Sequence, residues 1–397
     1  MKVLINKWFS VFSLFFLCIA WLVPNHYVPW VTSHSEFAVF FSLIFLSLNL
    51  FLEKINIPKF SIILLCIALI PITQFLLGKI FFFGDALIAF LYIFGFFVAF
   101  VCGFNCSKNK KANFNLYFYI AIVIVGIISV YIQLKQWLLL TNGGIWIVDL
   151  PVNARPFANF AQPNSCSTFL CMGLMGSLYL YEKEYINKIS GILITIVILF
   201  GIALTQSRTA WVFSFTFLIW WLWKTSYFHT RLKKWSVFYF IGIYICFIIT
   251  LPYVSNYLSL ANTSDILTRV MTGHLRIPMW HQMLVAIKNE PLWGYGWNHV
   301  SVAQITVFLE YPTTEWVEHS HNILLDLLIW NGIPLGLFII GFLGWWLYCI
   351  GKLATSVESF IALSMVGAVL VHAMLEFPLD YAFFLLPVAF FLCLVQA

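Results

Sequence analysis

Two histidines stand two residues apart in Glu315-Trp316-Val317-Glu318-His319-Ser320-His321-Asn322, a run that opens a helix heading for Gly332-Ile333-Pro334. Histidine is the side chain best suited to moving a proton near neutral pH, so this run is the first candidate for general-base chemistry. Two histidines beside two carboxylates also invite a metal. On a helix, however, positions 319 and 321 face different ways, and they share an ion only if the helix begins between them. A plain polar cap where a helix meets water is the third reading. Arg208 lies in Gln206-Ser207-Arg208-Thr209, a very short segment between two apolar runs. An arginine at membrane depth is costly and by default marks a site, unless it snorkels to the headgroups. Arg276 immediately precedes a predicted amphipathic helix, with Pro278 in its first turn, Trp280, Met283, Leu284 and Ile287 at helical spacing, and Pro291 ending it. A helix N-terminus beside an arginine suits an anion; a helix resting on the membrane surface is the alternative. The turn that follows, Pro291 to Gly296, carries Gly294 and Gly296 and brings backbone close to something. Arg155 sits in a polar, proline-punctuated segment from Asn153 to Asn164 whose amides Asn159, Gln162 and Asn164 suit sugar hydroxyls, although loop capping explains them nearly as well. His372, Glu376 and Asp380 gather around the last external hairpin, where one of them can pair with an arginine; none is assigned a role.

The elements that must hold these groups are apolar. Of 397 residues, 62% are hydrophobic and 9% charged, with mean hydropathy +0.95. A soluble domain carries about 25% charged residues. Soluble enzyme, disordered tail, coiled coil and nucleic-acid binder are excluded, and an all-α polytopic integral membrane protein remains. Twelve apolar runs long enough to span are expected near 8–24, 36–52, 60–78, 84–104, 116–140, 164–181, 189–205, 208–223, 235–252, 333–351, 358–375 and 380–397. The first follows Lys2 and Lys7 without a small-residue cleavage site and is read as a retained helix. With the N-terminus inside, fourteen of the 21 basic residues are cytoplasmic; Lys79, Lys135, Arg155, Arg208, Arg269, Arg276 and Lys288 lie outside. That excess obeys the positive-inside rule and places both chain ends in the cytoplasm. The domain reading is helices 1–9 over 1–252, one large periplasmic loop over 253–319, and the motif helix with three last spans over 320–397. Nine cysteines are scattered, and Cys166 and Cys171 read as small core residues.

The outer basic residues are mostly arginine and the inner ones nearly all lysine. Topology needs only positive charge, whereas arginine is preferred where phosphate or carboxylate must be gripped by a planar fork. Chemistry is therefore expected on the external face. If Arg208 and Arg276 share a site with His321, the arginines would hold the diphosphate of a lipid whose tail lies in the bilayer. No Gly-rich loop followed by Lys and Ser/Thr appears, so the energy must come from a pre-activated donor. A sugar on a lipid diphosphate fits, because arginines stabilise the departing charge and the histidine accepts the proton of an incoming hydroxyl. A transporter of lipid-linked sugar, without catalysis, is the rival. It would carry charge near the bilayer midplane, whereas here the mid-spans are almost free of it.

His321-Asn322, nine residues, then Gly332, with Pro334 and Gly336 just after, resembles the signature of the bacterial O-antigen ligase and O-antigen polymerase superfamily. Ser207-Arg208-Thr209 and the stretch from Arg276 and Trp280 to Pro291, Gly294 and Gly296 share that resemblance. With Arg155 through Asn164 and His319 through Asn322 added, the whole is most similar to the protein O-oligosaccharyltransferases that glycosylate pilins and other periplasmic proteins. The resemblance implies that His321 activates the acceptor and that Arg208 and Arg276 engage the lipid diphosphate. Arg155, Asn159, Gln162, Asn164, Trp280, His319 and Asn322 are then expected around the substrates. It implies an undecaprenyl-diphosphate glycan as donor, an inner-membrane site facing the periplasm, and no metal or other cofactor. The acceptor would be a Ser or Thr of a protein such as pilin, or alternatively lipid A core or a growing glycan. Many protein-glycosylating members continue well beyond the last span, whereas this chain stops at Ala397; a shortened C-terminus is the expectation there.

Overall fold

The computed structural model of the chain describes all residues except 1, 27, 29, 52–54, 109–111, 141–143, 152–153, 261–275, 314 and 396–397. The expectations for Asn153, Arg269, the middle of the long loop and Ala397 lie outside the described residues. Fourteen α-helices and no strand occur among the described residues: α1 (Lys2–Leu22), α2 (Ser33–Phe51), α3 (Ser61–Leu76), α4 (Phe83–Lys108), α5 (Ala112–Trp137), α6 (Pro163–Glu182), α7 (Lys188–Thr205), α8 (Arg208–Lys224), α9 (Ser236–Tyr257), α10 (Arg276–Asn289), α11 (Val300–Val307), α12 (Ile323–Leu353), α13 (Val357–Ala373) and α14 (Ala382–Leu394). Each of the twelve apolar runs falls on one of them. Helices α4, α5, α7, α9 and α12 are long and apolar enough to cross a bilayer by themselves. In hydrocarbon the backbone must satisfy its own hydrogen bonds, so such runs become helices. The chain is an all-helical polytopic membrane protein.

Helix α14 is apolar all round and sits inside the bundle, packed chiefly on α4, α13 and α2, with Phe384, Ala389, Phe391 and Cys393 buried. Its N-terminus is fixed from the far end of the sequence. The Glu36 carboxylate accepts the Ala382 N–H at 2.9 Å, and the Trp21 indole donates to the Phe383 carbonyl at 3.1 Å. The hairpin between α13 and α14 therefore starts from a rigid base.

A second, smaller core joins α3, α10, α11 and the first part of α12 around Met283, Ala286, Val300, Ala303 and Ile329. The predicted face of α10 is shifted. Met279, Gln282, Met283, Ala286 and Ile287 are buried, whereas Leu284 is 49% exposed. Docking on α11 and α12 decides this face, and buried Gln282 is admitted because its amide donates to the Tyr311 carbonyl at 2.6 Å.

Helix α12 breaks at Gly332, whose φ of 71° and ψ of 176° suit glycine alone. Pro334 has no N–H for the Trp330 carbonyl, and Ile333 turns its own N–H to the Pro291 carbonyl at 2.7 Å. The Ile329 and Trp330 carbonyls freed in this way accept from the N–H groups of Tyr295 (2.8 Å) and Gly296 (3.1 Å). The glycine-bearing turn thus approaches the kink of the motif helix. A Cβ on Gly294 would stand 2.4 Å from the Ile329 carbonyl oxygen, and one on Gly332 would stand 2.5 Å from Leu292 backbone. Gly332→Ala is expected to cost at least about 1–3 kcal/mol from backbone conformation alone. It should lower the thermal midpoint in detergent and the amount in membranes; an unchanged midpoint would contradict this account of the kink.

Candidate active site

Five segments meet at one end of the bundle: the 154–164 segment before α6, the α7–α8 turn, the start of α10, the motif loop before α12, and the 374–381 hairpin. Helix α12 begins at Ile323, with Asn322 as its N-cap accepting from the Leu324 and Leu325 N–H groups. Both histidines therefore lie ahead of the helix, in the loop, and the question of which helical face they share does not arise. His321 adopts φ 56°, a left-handed conformation that few non-glycine residues keep without surrounding restraint.

Glu376 is the hub. One carboxylate oxygen accepts from Arg276 Nη2 at 2.5 Å and from Asn164 Nδ2 at 3.4 Å; the other faces His321 Nδ1 at 2.6 Å. A carboxylate only accepts, so Nδ1 carries the proton, and Nε2, which has no partner among the described residues, is left as the basic nitrogen. The His321 side chain is 27% exposed and Glu376 10%. Burial alone would raise the Glu376 pKa, but the His321 hydrogen bond and the charges of His321, Arg276 and His372 outweigh it and hold the carboxyl below its ordinary range. The sequence marked Glu376 as a possible arginine partner and gave it no role; the structure makes it the group that joins the arginine to the histidine.

Arg208 enters through its neighbours. It opens α8 directly after buried Ser207, whose hydroxyl donates to Asn164 Oδ1 at 2.7 Å, and Asn164 in turn reaches Glu376. Arg155 caps the end of α7, donating to the Thr205 carbonyl at 3.0 Å and the Gln206 carbonyl at 3.4 Å. Its pKa is lowered by burial and by the Arg208 guanidinium, against the pull of Glu376, so it senses both sides of the site. Arg276 pairs with Glu376, Arg155 feels both Glu376 and Arg208, and the three guanidiniums make a local excess of positive charge suited to a polyanion. From Trp211, one turn below Arg208, a crevice of about 390 Å3 runs between α8 and α9, lined by Phe215, Leu218, Tyr244, Ile245 and Ile248.

The other residues expected around the substrates also make hydrogen bonds within the chain. Asn159 is 4% exposed; its amide nitrogen donates to the Leu22 and Trp146 carbonyls and its oxygen accepts the Val148 N–H. Both amide hydrogens of Asn159 are engaged within the chain. Asn322 is spent on the α12 N-cap and on the Met374 carbonyl. Trp280 donates its indole N–H to the Ser320 carbonyl at 2.8 Å, and Gln162 accepts from the Ser165 hydroxyl. His319 turns away from His321 to Asp380 at 2.5 Å, against Phe377. Among the described residues no three His, Cys, Asp or Glu side chains are grouped to hold a metal ion.

Residues 193–340 match the family described as O-antigen ligase, and residues 156–181 match that described as protein glycosylation ligase. Arg208, Arg276, His321 and Gly332 fall in the first range; Asn159, Gln162 and Asn164 fall in the second. Over 393 residues the chain is 38% identical to the general O-oligosaccharyltransferase of Acinetobacter baylyi, covering 96% of this chain and 68% of that protein. It is 30% identical over 391 residues to the ComP-specific O-oligosaccharyltransferase of the same organism, covering 97% and 70%. With nearly the whole chain aligned and the arginine–glutamate–histidine cluster inside the matched region, the chain belongs to the O-oligosaccharyltransferases of the bacterial O-antigen ligase family, which are membrane-embedded glycosyltransferases.

Proposed function

We propose that the chain moves an oligosaccharide en bloc from undecaprenyl diphosphate to a Ser or Thr hydroxyl of a periplasmic protein such as pilin, at the outer face of the inner membrane. The observation that carries this reading is the Glu376 carboxylate shared by Arg276 and His321 beside Arg155 and Arg208. His321 Nε2 takes the hydroxyl proton as the acceptor oxygen bonds to the anomeric carbon. The bond from that carbon to the diphosphate oxygen breaks, and the electron pair leaves on undecaprenyl diphosphate. Arg208 and Arg276 meet the charge that develops there, where fixed donors contribute most. The prenyl tail lies in the crevice below Arg208, its diphosphate end at the arginines. The chain crosses the membrane twelve times with both ends inside, and the reaction needs no metal.

The test uses the purified chain in nanodiscs with undecaprenyl-diphosphate oligosaccharide and a pilin-derived peptide. Intact mass should show the peptide gaining the whole glycan, equally with and without EDTA. A peptide that stays unmodified while lipid A core gains the glycan would favour the O-antigen ligase reading, which the match over residues 193–340 keeps in view. Loss of transfer in EDTA would contradict metal independence. Arg208→Lys keeps the charge but loses the fork, and should slow transfer roughly 10- to 100-fold. An unchanged rate would make Arg208 an interfacial anchor only.

A further inference from the structure

Glu376 can orient His321 only if the hairpin that carries it is held still. Glu376 and Asp380 lie four residues apart on that hairpin, and His319 and His321 lie two apart on the motif loop. Each histidine meets one carboxylate: His321 Nδ1 and Glu376 at 2.6 Å, His319 Nε2 and Asp380 at 2.5 Å. Phe377 stands between the two rungs, its ring stacked on His319 at 4.6 Å and edge-on to His321 at 5.3 Å. Arg276 and Asn164 also hold Glu376, but only the two rungs and the shared aromatic ring tie both ends of the 376–380 stretch to the motif loop.

We infer that His319 is a positioning residue: clamped by Asp380 and stacked on Phe377, it locks the 374–381 hairpin to the motif loop and so keeps Glu376 on His321. The substrate-binding role expected from the sequence does not suit it. Its side chain is 11% exposed, and its second nitrogen points to Asp326 at 4.0 Å. Asp326 also accepts the Ser320 N–H at 2.8 Å, while Trp280 holds the Ser320 carbonyl, so the residue between the two histidines is pinned from both sides. Burial would lower the His319 pKa, but Asp380, Asp326 and Glu318 raise it above the ordinary histidine value, which strengthens the clamp without being required for it, since a neutral Nε2–H also donates to Asp380.

The inference rests on the transfer reading above, and its test separates the two. His319→Gln places an amide N–H near the Nε2 position and retains a donor for Asp380; His319→Ala removes it. In the nanodisc assay His319→Ala should lower kcat roughly 10- to 100-fold through misplacement of the base, with KM for donor and peptide nearly unchanged. His319→Gln should restore most of that loss. Hydrogen–deuterium exchange of the full-length protein should show faster exchange of 374–381 in His319→Ala and near wild-type exchange in His319→Gln. If His319→Ala unfolds broadly, Asp380→Asn replaces it, with the same expected pattern. A rise in KM with kcat retained would place His319 on substrate and overturn the inference, as would unchanged exchange in the hairpin. Absence of transfer by the wild type would defeat the transfer reading, while the exchange comparison would still decide the clamp.

Discussion

His321→Ala is expected to reach the membrane at the wild-type level and to transfer glycan about 10^2- to 10^4-fold more slowly, the usual contribution of a positioned general base. Glu376 Oε2 loses its partner, but Oε1 keeps Arg276 at 2.5 Å and Asn164 at 3.4 Å, so the fold should survive. Alanine at φ 56° is strained much as histidine is. Since the base acts in the transition state, the loss should appear in kcat with KM for donor and acceptor nearly unchanged. The check is single-turnover transfer to a pilin-derived peptide, with membrane abundance measured in parallel. Normal turnover in His321→Ala would remove the catalytic role.

Glu376 variants come next in size and separate two effects. Glu376→Ala takes from Arg276, whose side chain is 25% exposed, its ion-pair partner and removes the negative charge that Arg155 also feels. Removing one partner of a largely buried pair strands the other charge, so stability should fall by roughly 1–3 kcal/mol, less than for a fully buried pair. Glu376→Gln keeps the shape and an acceptor oxygen but no longer fixes which His321 nitrogen is protonated. Transfer should fall roughly 10- to 1,000-fold with the thermal midpoint little changed. If Glu376 acts through His321, the His321→Ala/Glu376→Gln double variant should be no slower than His321→Ala alone. Fully additive losses would assign Glu376 to the diphosphate side instead.

The apolar runs made the helices legible, since hydrocarbon leaves a spanning backbone few alternatives. Arg276 and His321 were legible as neighbours because four of the five arginines fall in segments that the charge pattern assigns to the same side as the motif histidines. Glu376 was not: His372, Glu376 and Asp380 differ by hairpin geometry alone, and only folded coordinates tell which carboxylate meets which cation. Asn159 is ambiguous in sequence for a related reason. Its amide is as suited to loop carbonyls as to sugar hydroxyls, and the choice depends on the approach of Leu22 and Trp146, each distant or turned away in sequence. The face of α10 slipped because Gln282 is buried by a hydrogen-bond network that hydropathy counts against it. The Pro291–Gly296 turn announced a close approach, but its partner, the broken motif helix, required Gly332 and Pro334 to be read together with it.

The most direct measurement is the intact mass of pilin from cells carrying the wild-type chain, the His321→Ala chain or none, beside their lipopolysaccharide profiles. Pilin should carry the mass of one whole oligosaccharide only with the wild-type chain, and the three lipopolysaccharide profiles should coincide. Unmodified pilin in all three strains, with long-chain lipopolysaccharide lost wherever His321 is missing, would contradict protein glycosylation by this site.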